Sequence, residues 1–516
     1  MNQPLLRMAP LVGLALAGCP GPATTNDAAV SSDAHASTDA QVLLDTSRDA
    51  EVANDDAGAD ASTLDGGRAE VDAGTDAAAA PDAATGDAGT SLPPIADPGP
   101  RLVPASADGH DRLYGVAFAP DSSFYVVGVR AAGTAMTDDW ETLVGHFTAS
   151  GELDAAFGTG GWFTRNFAVG SSGEVARGIA LQSDGKIIVA VTAEAAGAAD
   201  PRDRDIYVSR LHADGTLDTS FGTEGVAVLD LSTGAPDGAA FSTDSVWNVD
   251  VDASDRLLMS VTPIRAGGTD TDFGVARLTR DGALDAAFAG DGVYELDIGN
   301  FGASPREVSV LEDGSIALAG YYRSGGGIRP LILRLDAAGV PVASFARDGV
   351  YDELVLMAQV EVYSVSVQDG FFVTAGYGRD LGPEDNDLIS LRVNIETGTR
   401  DLTYGTGGVA GLEGYDFNDN YRTHRILPDG RNVFVGAIRT ASTSADAAIV
   451  VLTRDGLPDP RYGTAGVMLS NFADGTVDHF WSLAIDPTGT RMAVVGIGGT
   501  SPATDDDALV YLAPIP

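Results

Sequence analysis

The chain has 516 residues, with 74 Asp and Glu against 31 Lys and Arg, a formal charge of −43. That acidity excludes nucleic acid or an anionic membrane surface as a direct partner, since both need clustered Lys and Arg. One cysteine, Cys19, excludes an internal disulfide, so any folded part must rest on its apolar core; the length admits several domains or one large repeat array.

Residues 1–19 read as a bacterial export signal: Arg7 supplies the charge, Met8 to Ala17 a short apolar stretch, and small residues follow. About ten apolar residues are too few to cross a bilayer as a mature helix. The tetrad Leu16-Ala17-Gly18-Cys19 resembles the lipobox of bacterial lipoproteins. The resemblance implies cleavage after residue 18, acylation of Cys19, and a membrane partner reached through that lipid anchor. Pro20 in place of Asp at the next position implies delivery to the outer membrane or cell surface. More than one acyl chain makes such anchoring stable, whereas a single chain binds marginally.

From residue 19 to 100 the composition shifts to Ala, Asp, Thr, Ser and Gly, with 14 Asp and 2 Glu against Arg48 and Arg68 and no Phe, Trp or Tyr. Such a segment cannot bury enough apolar surface to offset the entropy of ordering it, so a disordered linker is expected. Its Asp-Ala phrases lack the ligand spacing and the turn glycine of a calcium loop. A flexible tether of about 80 residues spans on the order of 50 Å, enough to hold residues 101–516 clear of a membrane.

Residues 101–516 repeat. An aromatic residue followed four positions later by Gly recurs as Phe157/Gly161, Phe221/Gly225, Phe288/Gly292, Phe345/Gly349, Tyr404/Gly408 and Tyr462/Gly466, roughly sixty residues apart. Four strands are expected around each phrase. An alternating first strand (177–181, 246–251, 308–311, 362–367, 481–485) leads in several units to an Asp-Gly pair, at 184–185, 313–314, 369–370 and 429–430. Asp-Gly between apolar runs is a hairpin signal, because Gly takes the positive φ that the turn demands. A second strand, a variable loop, a third strand (205–211, 272–278), the aromatic phrase and a fourth strand (225–229, 292–296) follow.

The first three strands occur seven times, counting a degenerate hairpin at 114–128, but the fourth occurs six times after the phrase. Arg101-Leu102-Val103 supplies the missing strand. The count therefore predicts an all-β fold, a seven-bladed β-propeller of four-stranded blades closed by an N-terminal strand and preceded by the disordered stalk. A β-solenoid is the alternative, although its coils usually have shorter periods. The aromatics are expected to fill gaps between blades.

The best copies run from Asp214 to Gly222 (DGTLDTSFG) and from Asp281 to Phe288 (DGALDAAF), preceded by Val208-Ser209-Arg210-Leu211 and Val275-Ala276-Arg277-Leu278. They resemble the delta-60 repeat family, over residues 101–516. Pro341-Val342 and Pro458-Asp459 depart from the Leu-Asp of the motif. The resemblance implies a surface-exposed bacterial repeat domain and brings no catalytic residues with it.

In that architecture the long loops 192–204, 262–271, 377–386, 437–446 and 497–506 share one face, where function is expected to concentrate. Acidic residues open the third strand in six units, Glu141, Asp205, Asp272, Asp387, Asp446 and Asp506, with Arg329 in the remaining one. Asp favours strand starts through local hydrogen bonds; a circle of such residues is also a candidate binding face, with calcium as its candidate cofactor. Asp416-x-Asn418-x-Asn420 is a second oxygen-rich spot, without the Gly and distal Glu of a calcium loop. His424 and His479 hold similar places in first strands, either as a channel metal pair or as satisfied core residues. No Gly-x-Ser-x-Gly, His-Glu-x-x-His or Gly-x-x-x-x-Gly-Lys occurs, and no catalytic residue is assigned. The expectation is a monomeric, non-enzymatic binding or scaffolding module for a protein or polysaccharide, with no nucleic-acid partner. A hydrolase or lyase with its site at the channel mouth is the alternative.

Overall fold

The computed structural model describes residues 99–106, 109–131, 133, 139–171, 173–232, 244–264, 270–299, 301–381, 385–412, 419–441, 444–473, 476–501 and 505–516. Residues 1–98, which hold the expected export signal, Cys19 and the expected linker, lie outside the described residues, as do Asp416 and Asn418. Within them the regular elements are 28 β-strands.

The first strands are β2 (Asp111–Phe118), β6 (Val175–Leu181), β10 (Ser245–Val251), β14 (Ala303–Val310), β18 (Gln359–Gln368), β22 (Asn420–Ile426) and β26 (His479–Ile485). Second strands are β3 (Phe124–Ala131), β7 (Ile187–Glu194), β11 (Leu257–Thr262), β15 (Ile316–Ser324), β19 (Phe371–Arg379), β23 (Asn432–Ala441) and β27 (Arg491–Ser501). Third strands are β4 (Trp140–Phe147), β8 (Arg204–Leu211), β12 (Phe273–Leu278), β16 (Gly327–Leu335), β20 (Asp387–Asn394), β24 (Ser444–Leu452) and β28 (Asp505–Pro514). Fourth strands are β5 (Trp162–Arg165), β9 (Val226–Leu229), β13 (Val293–Leu296), β17 (Val350–Tyr351), β21 (Val409–Leu412) and β25 (Val467–Ser470).

From β2 to β25 each consecutive four form an antiparallel meander, giving four four-stranded sheets and one of eight strands, in which a parallel bridge Ile328↔Gln359 joins β14–β17 to β18–β21. The sheet β26-β27-β28 takes its fourth strand from the other end of the chain, β1 (Arg101–Leu102), paired as Arg101↔Val510 and Leu102↔Leu509.

The strands are apolar on both faces; every residue of β11 and β12 is buried. The core therefore lies between successive sheets. Ile188, Val208 and Phe221 of one sheet pack with Val246, Met259 and Ala276 of the next, and Leu113, Phe124 and Phe147 pack with Val495 and Val510, the first sheet against the last. Each large side chain so buried contributes roughly 1.5–3 kcal/mol.

The recurring aromatic is an inter-sheet plug in five of its six copies; Tyr462 is only partly buried. Phe157, Phe221, Phe288, Phe345 and Tyr404 are at most 1 % exposed. Gly215 closes over Phe157, Gly282 over Phe221, Gly339 over Phe288 and Gly456 over Tyr404, so that a Cβ on any of these glycines would lie within about 3 Å of the ring. The residue after the aromatic donates its N–H to the same neighbouring turn, as in Gly158 to Asp214 O (2.9 Å) and Gly222 to Asp281 O (2.9 Å). The glycine four residues on has φ between 89° and 104° at Gly161, Gly225, Gly292, Gly349, Gly408 and Gly466, a conformation that costs other residues strain.

A third-strand arginine adds a second tie. Arg210 lies over Phe221 (4.9 Å), pairs with Asp218 (2.7 Å) and donates to Arg280 O (2.9 Å) of the next sheet. Arg277 repeats this with Phe288, Asp285 and Ala337 O, and Arg392 with Tyr404, Asp401 and Arg454 O. Arg334 keeps the reach to Ile395 O but meets Val342 where the carboxylate should stand.

Candidate functional site

Every first strand slips register once, between Leu113/Gly115, Ala176/Gly178, Val246/Asn248, Pro305/Glu307, Val362/Ser364, Tyr421/Thr423 and Phe480/Ser482. A bulge leaves one residue out of the ladder and re-aims its side chain. The residues left out are Tyr114, Arg177, Trp247, Arg306, Tyr363, Arg422 and Trp481, and all of them line one cavity of about 890 Å³.

These side chains form a closed chain of stacked cations and rings. Arg177 lies over Tyr114 (5.5 Å) and Trp247 (3.8 Å), Arg306 over Trp247 (3.6 Å) and Tyr363 (4.9 Å), and Arg422 over Tyr363 (4.5 Å) and Trp481 (4.6 Å). Trp481 then meets Tyr114 edge-on at 4.9 Å and 86°. Desolvated cation–π contacts are worth about 2 kcal/mol or more each, which offsets part of the cost of burying three guanidinium groups.

In every first strand the cavity lining begins at the bulge residue and continues only toward the strand's C-terminal end, out to the exposed Glu312 and Asp313 of an Asp-Gly turn. Among the described residues the ring thus closes one end of the lining, which runs out to the surface on the short-turn side. Below the ring Asn248, Asp250 and Glu307 are engaged with neighbouring strands. Asn248 accepts from Val308 N–H (3.2 Å), Asp250 from Val310 N–H (2.8 Å), and Glu307 from Val365 N–H (2.9 Å) and from Arg425 (3.0 Å). On the far side Glu361 accepts from the hydroxyls of Tyr363 (3.0 Å) and Tyr377 (2.9 Å).

The acids expected to open third strands, Asp506 excepted, share one register but not one chemistry. Glu141 stands opposite Arg130 and pairs with it (2.8 Å). Asp205 lies opposite Ala193, and burial, with Asp230 and Asp203, pushes it up to about 6. Asp387 is opposite Gly378, and Asp446, opposite Ile438, accepts from Asn471 (2.9 Å). The equivalent residue in β28 is Asp507, opposite Gly498, not Asp506. Asp506 turns to Arg112 and His110 instead; their hydrogen bonds and charge outweigh burial and hold it at about 2.

Among the described residues, carboxylate oxygens approach within 4.8 Å in two groups, Asp205–Asp230–Asp244 and Asp270–Asp272–Asp297. These could hold a cation, but Asp244 already accepts from Leu231 N–H, Ser232 N–H and the Ser232 hydroxyl. The histidines do not make a channel pair. Neither lines the cavity; His424 is bonded to Ser364 Oγ (2.6 Å), and burial, with Arg425, holds it at about 3. Burial likewise holds His479 neutral.

Two features escape the sequence reading. One is the ring, whose signal was a large aromatic or arginine at the same place in every first strand. The other is a buried acid three residues before the bulge, at or just before the start of five first strands, Asp111, Glu174, Asp244, Asp419 and Asp478, each no more than 1 % exposed. Four of these carboxylates tie down the incoming loop: Asp111 accepts from Ala105 and Ser106 N–H, Glu174 from Phe167 N–H, Asp244 from Leu231 and Ser232 N–H, and Asp478 from Phe472 N–H.

The profile of a β-propeller domain of unknown function, DUF5122, matches residues 182–221 and 264–288. No curated protein matches the sequence. Among solved structures, the chain is similar to a glucose dehydrogenase at 13 % identity over 66 % of this chain and 96 % of that one (TM-score 0.37). It is similar to the propeller domain of the trilobed protease from Pyrococcus furiosus at 10 % over 78 % and 93 % (TM-score 0.40). A polysaccharide lyase, Uly1, gives 10 % over 78 % and 90 % (TM-score 0.42). The repeated four-stranded meanders and the family match establish a β-propeller; the structural likenesses add nothing about activity.

Proposed function

We propose that this chain is an exported lipoprotein, anchored through Cys19 at the outer membrane or cell surface, whose propeller is a non-enzymatic binding module for a protein or polysaccharide. In this reading the propeller has seven blades, and β1 closes the last of them on β28. The observation that carries the binding role is the 890 Å³ cavity lined by every first strand, whose inner carboxylates Asp250 and Glu307 are committed to backbone N–H groups and to Arg425. Such a wall presents fixed shape and charge and holds its acids in place. Cavities of about 300–1,000 Å³ suit small ligands or one segment of a polymer.

Titration of the purified full chain against envelope polysaccharides and proteins, with product analysis in the same samples, tests the reading. Saturable binding with the partner recovered intact is expected; shortened polymer would overturn it in favour of a hydrolase or lyase. Mass spectrometry of the mature N-terminus should find acylated Cys19, and an unmodified Cys19 would remove the anchor.

A further inference from the structure

The ring carries more donors than it satisfies. Arg177, Arg306 and Arg422 are only 5–7 % exposed. Stacking uses the faces of a guanidinium, while its five N–H bonds lie in the plane and still need acceptors. Arg306 gives one nitrogen to the Tyr321 hydroxyl, but its Nε and Nη1 have no acceptor, and neither has Trp481 Nε1. Both residues line the cavity. Glu361, whose charge acts on Arg306, is already occupied by Gln359, Tyr363 and Tyr377. Each buried donor left without a partner costs about 1–3 kcal/mol, and a buried cation needs a counter-charge as well.

We propose that the cavity binds an oxyanion, a carboxylate, phosphate or sulfate carried on a sugar-sized ligand, received at the ring by Arg306 and Trp481 Nε1–H with Arg177 and Arg422 beside them. This rests on the binding-module reading and names its ligand class. The cavity is larger than a bare ion needs, and Ser309, Ser366 and Ser482 on its wall suit the hydroxyls of a sugar. A chain of charge −43 does not gather anions by long-range attraction, so affinity here must come from the local donors.

Calorimetric titration of the full chain at low ionic strength with D-glucuronate, glucose 6-phosphate, glucose, sodium phosphate and sodium sulfate tests this. Glucuronate or glucose 6-phosphate should saturate, with glucose at least ~10-fold weaker, and Arg306→Gln should weaken the anion at least ~10-fold. Trp481→Phe removes a single donor and should weaken it by ~2- to 10-fold, which serves if Arg306→Gln does not fold. Saturation by phosphate or sulfate alone supports the site and narrows its ligand to the inorganic ion. Equal binding of glucose and glucuronate, anion binding unchanged in Trp481→Phe, or no saturable anion binding overturns it. Binding of a polymer with every anion silent overturns the oxyanion site and leaves the binding module standing.

Discussion

The rim and the channel of this molecule repeat in opposite ways. At the rim, arginine, carboxylate and aromatic recur together as Arg210/Asp218/Phe221, Arg277/Asp285/Phe288 and Arg392/Asp401/Tyr404. At the channel no two neighbouring first strands present the same residue, since cations alternate with rings. Where each unit must solve the same problem with its own residues, the solution is copied. Where units must solve it with one another, the residues become complementary. Alternation around an odd number of positions forces one like pair, and it falls at Tyr114 and Trp481, where the first and last sheets pack.

The comparison breaks most visibly at the rim. Asp218→Ala strips Arg210, 2 % exposed, of its main carboxylate and should cost about 3–5 kcal/mol in a urea unfolding curve; a loss below about 1 kcal/mol would show that the copied triad is decorative. In the channel, Trp247→Ala leaves the Arg177 and Arg306 guanidinium groups each without one stacked face and should cost about 2–4 kcal/mol. The two losses should be additive, because the sites share no partner; strong coupling would mean that rim and ring are one cooperative unit.

Copied positions were legible in the sequence, and complementary ones were not. The aromatic-Gly phrase and the Arg of Val208-Ser209-Arg210-Leu211 reappear by identity, so the period and the four-strand unit followed from them. Tyr114, Arg177 and Trp247 share only size and the chance to stack, a likeness that alignment by identity discards. The bulge that aims them is a slip in pairing, as between Ala176 and Gly178, which leaves no residue signature. Asp506 illustrates the same limit: two further acids, Asp505 and Asp507, flank it in the sequence, and only the register distinguishes Asp507. Among intermediate effects, Leu102→Asp places a charge where Leu102 packs against the last apolar cluster and should lower stability by about 1–3 kcal/mol, read as a lower melting temperature. An unchanged melting curve would argue against closure through β1.

The buried acids before the bulge stand between these two cases, shared by type in five strands and replaced by Ala303 and Val360 in the others, and they give the smallest and most specific prediction. Burial pushes Glu174 up to about 7, Asp244 and Asp478 to about 6, and Asp419, beside Asp387 and Asp385, to about 8. A group whose value rises on folding holds a proton in the folded chain that the unfolded chain has released. Its contribution is therefore complete below the ordinary carboxylate range and is lost as pH rises through about 6–8. The melting temperature should climb as pH falls from 8 to 5. Below pH 4 it should turn down, as Asp506, held at about 2 by its partners, and Asp218, also held low, begin to take up protons. Glu174→Gln fixes the neutral form but leaves Phe167 N–H facing an amide that cannot accept at that position. The variant should thus lose more stability at pH 5 than at pH 8, flattening the slope; an unaltered slope would mean that burial at Glu174 is relieved by water and that the acids before the bulge do not set the pH response.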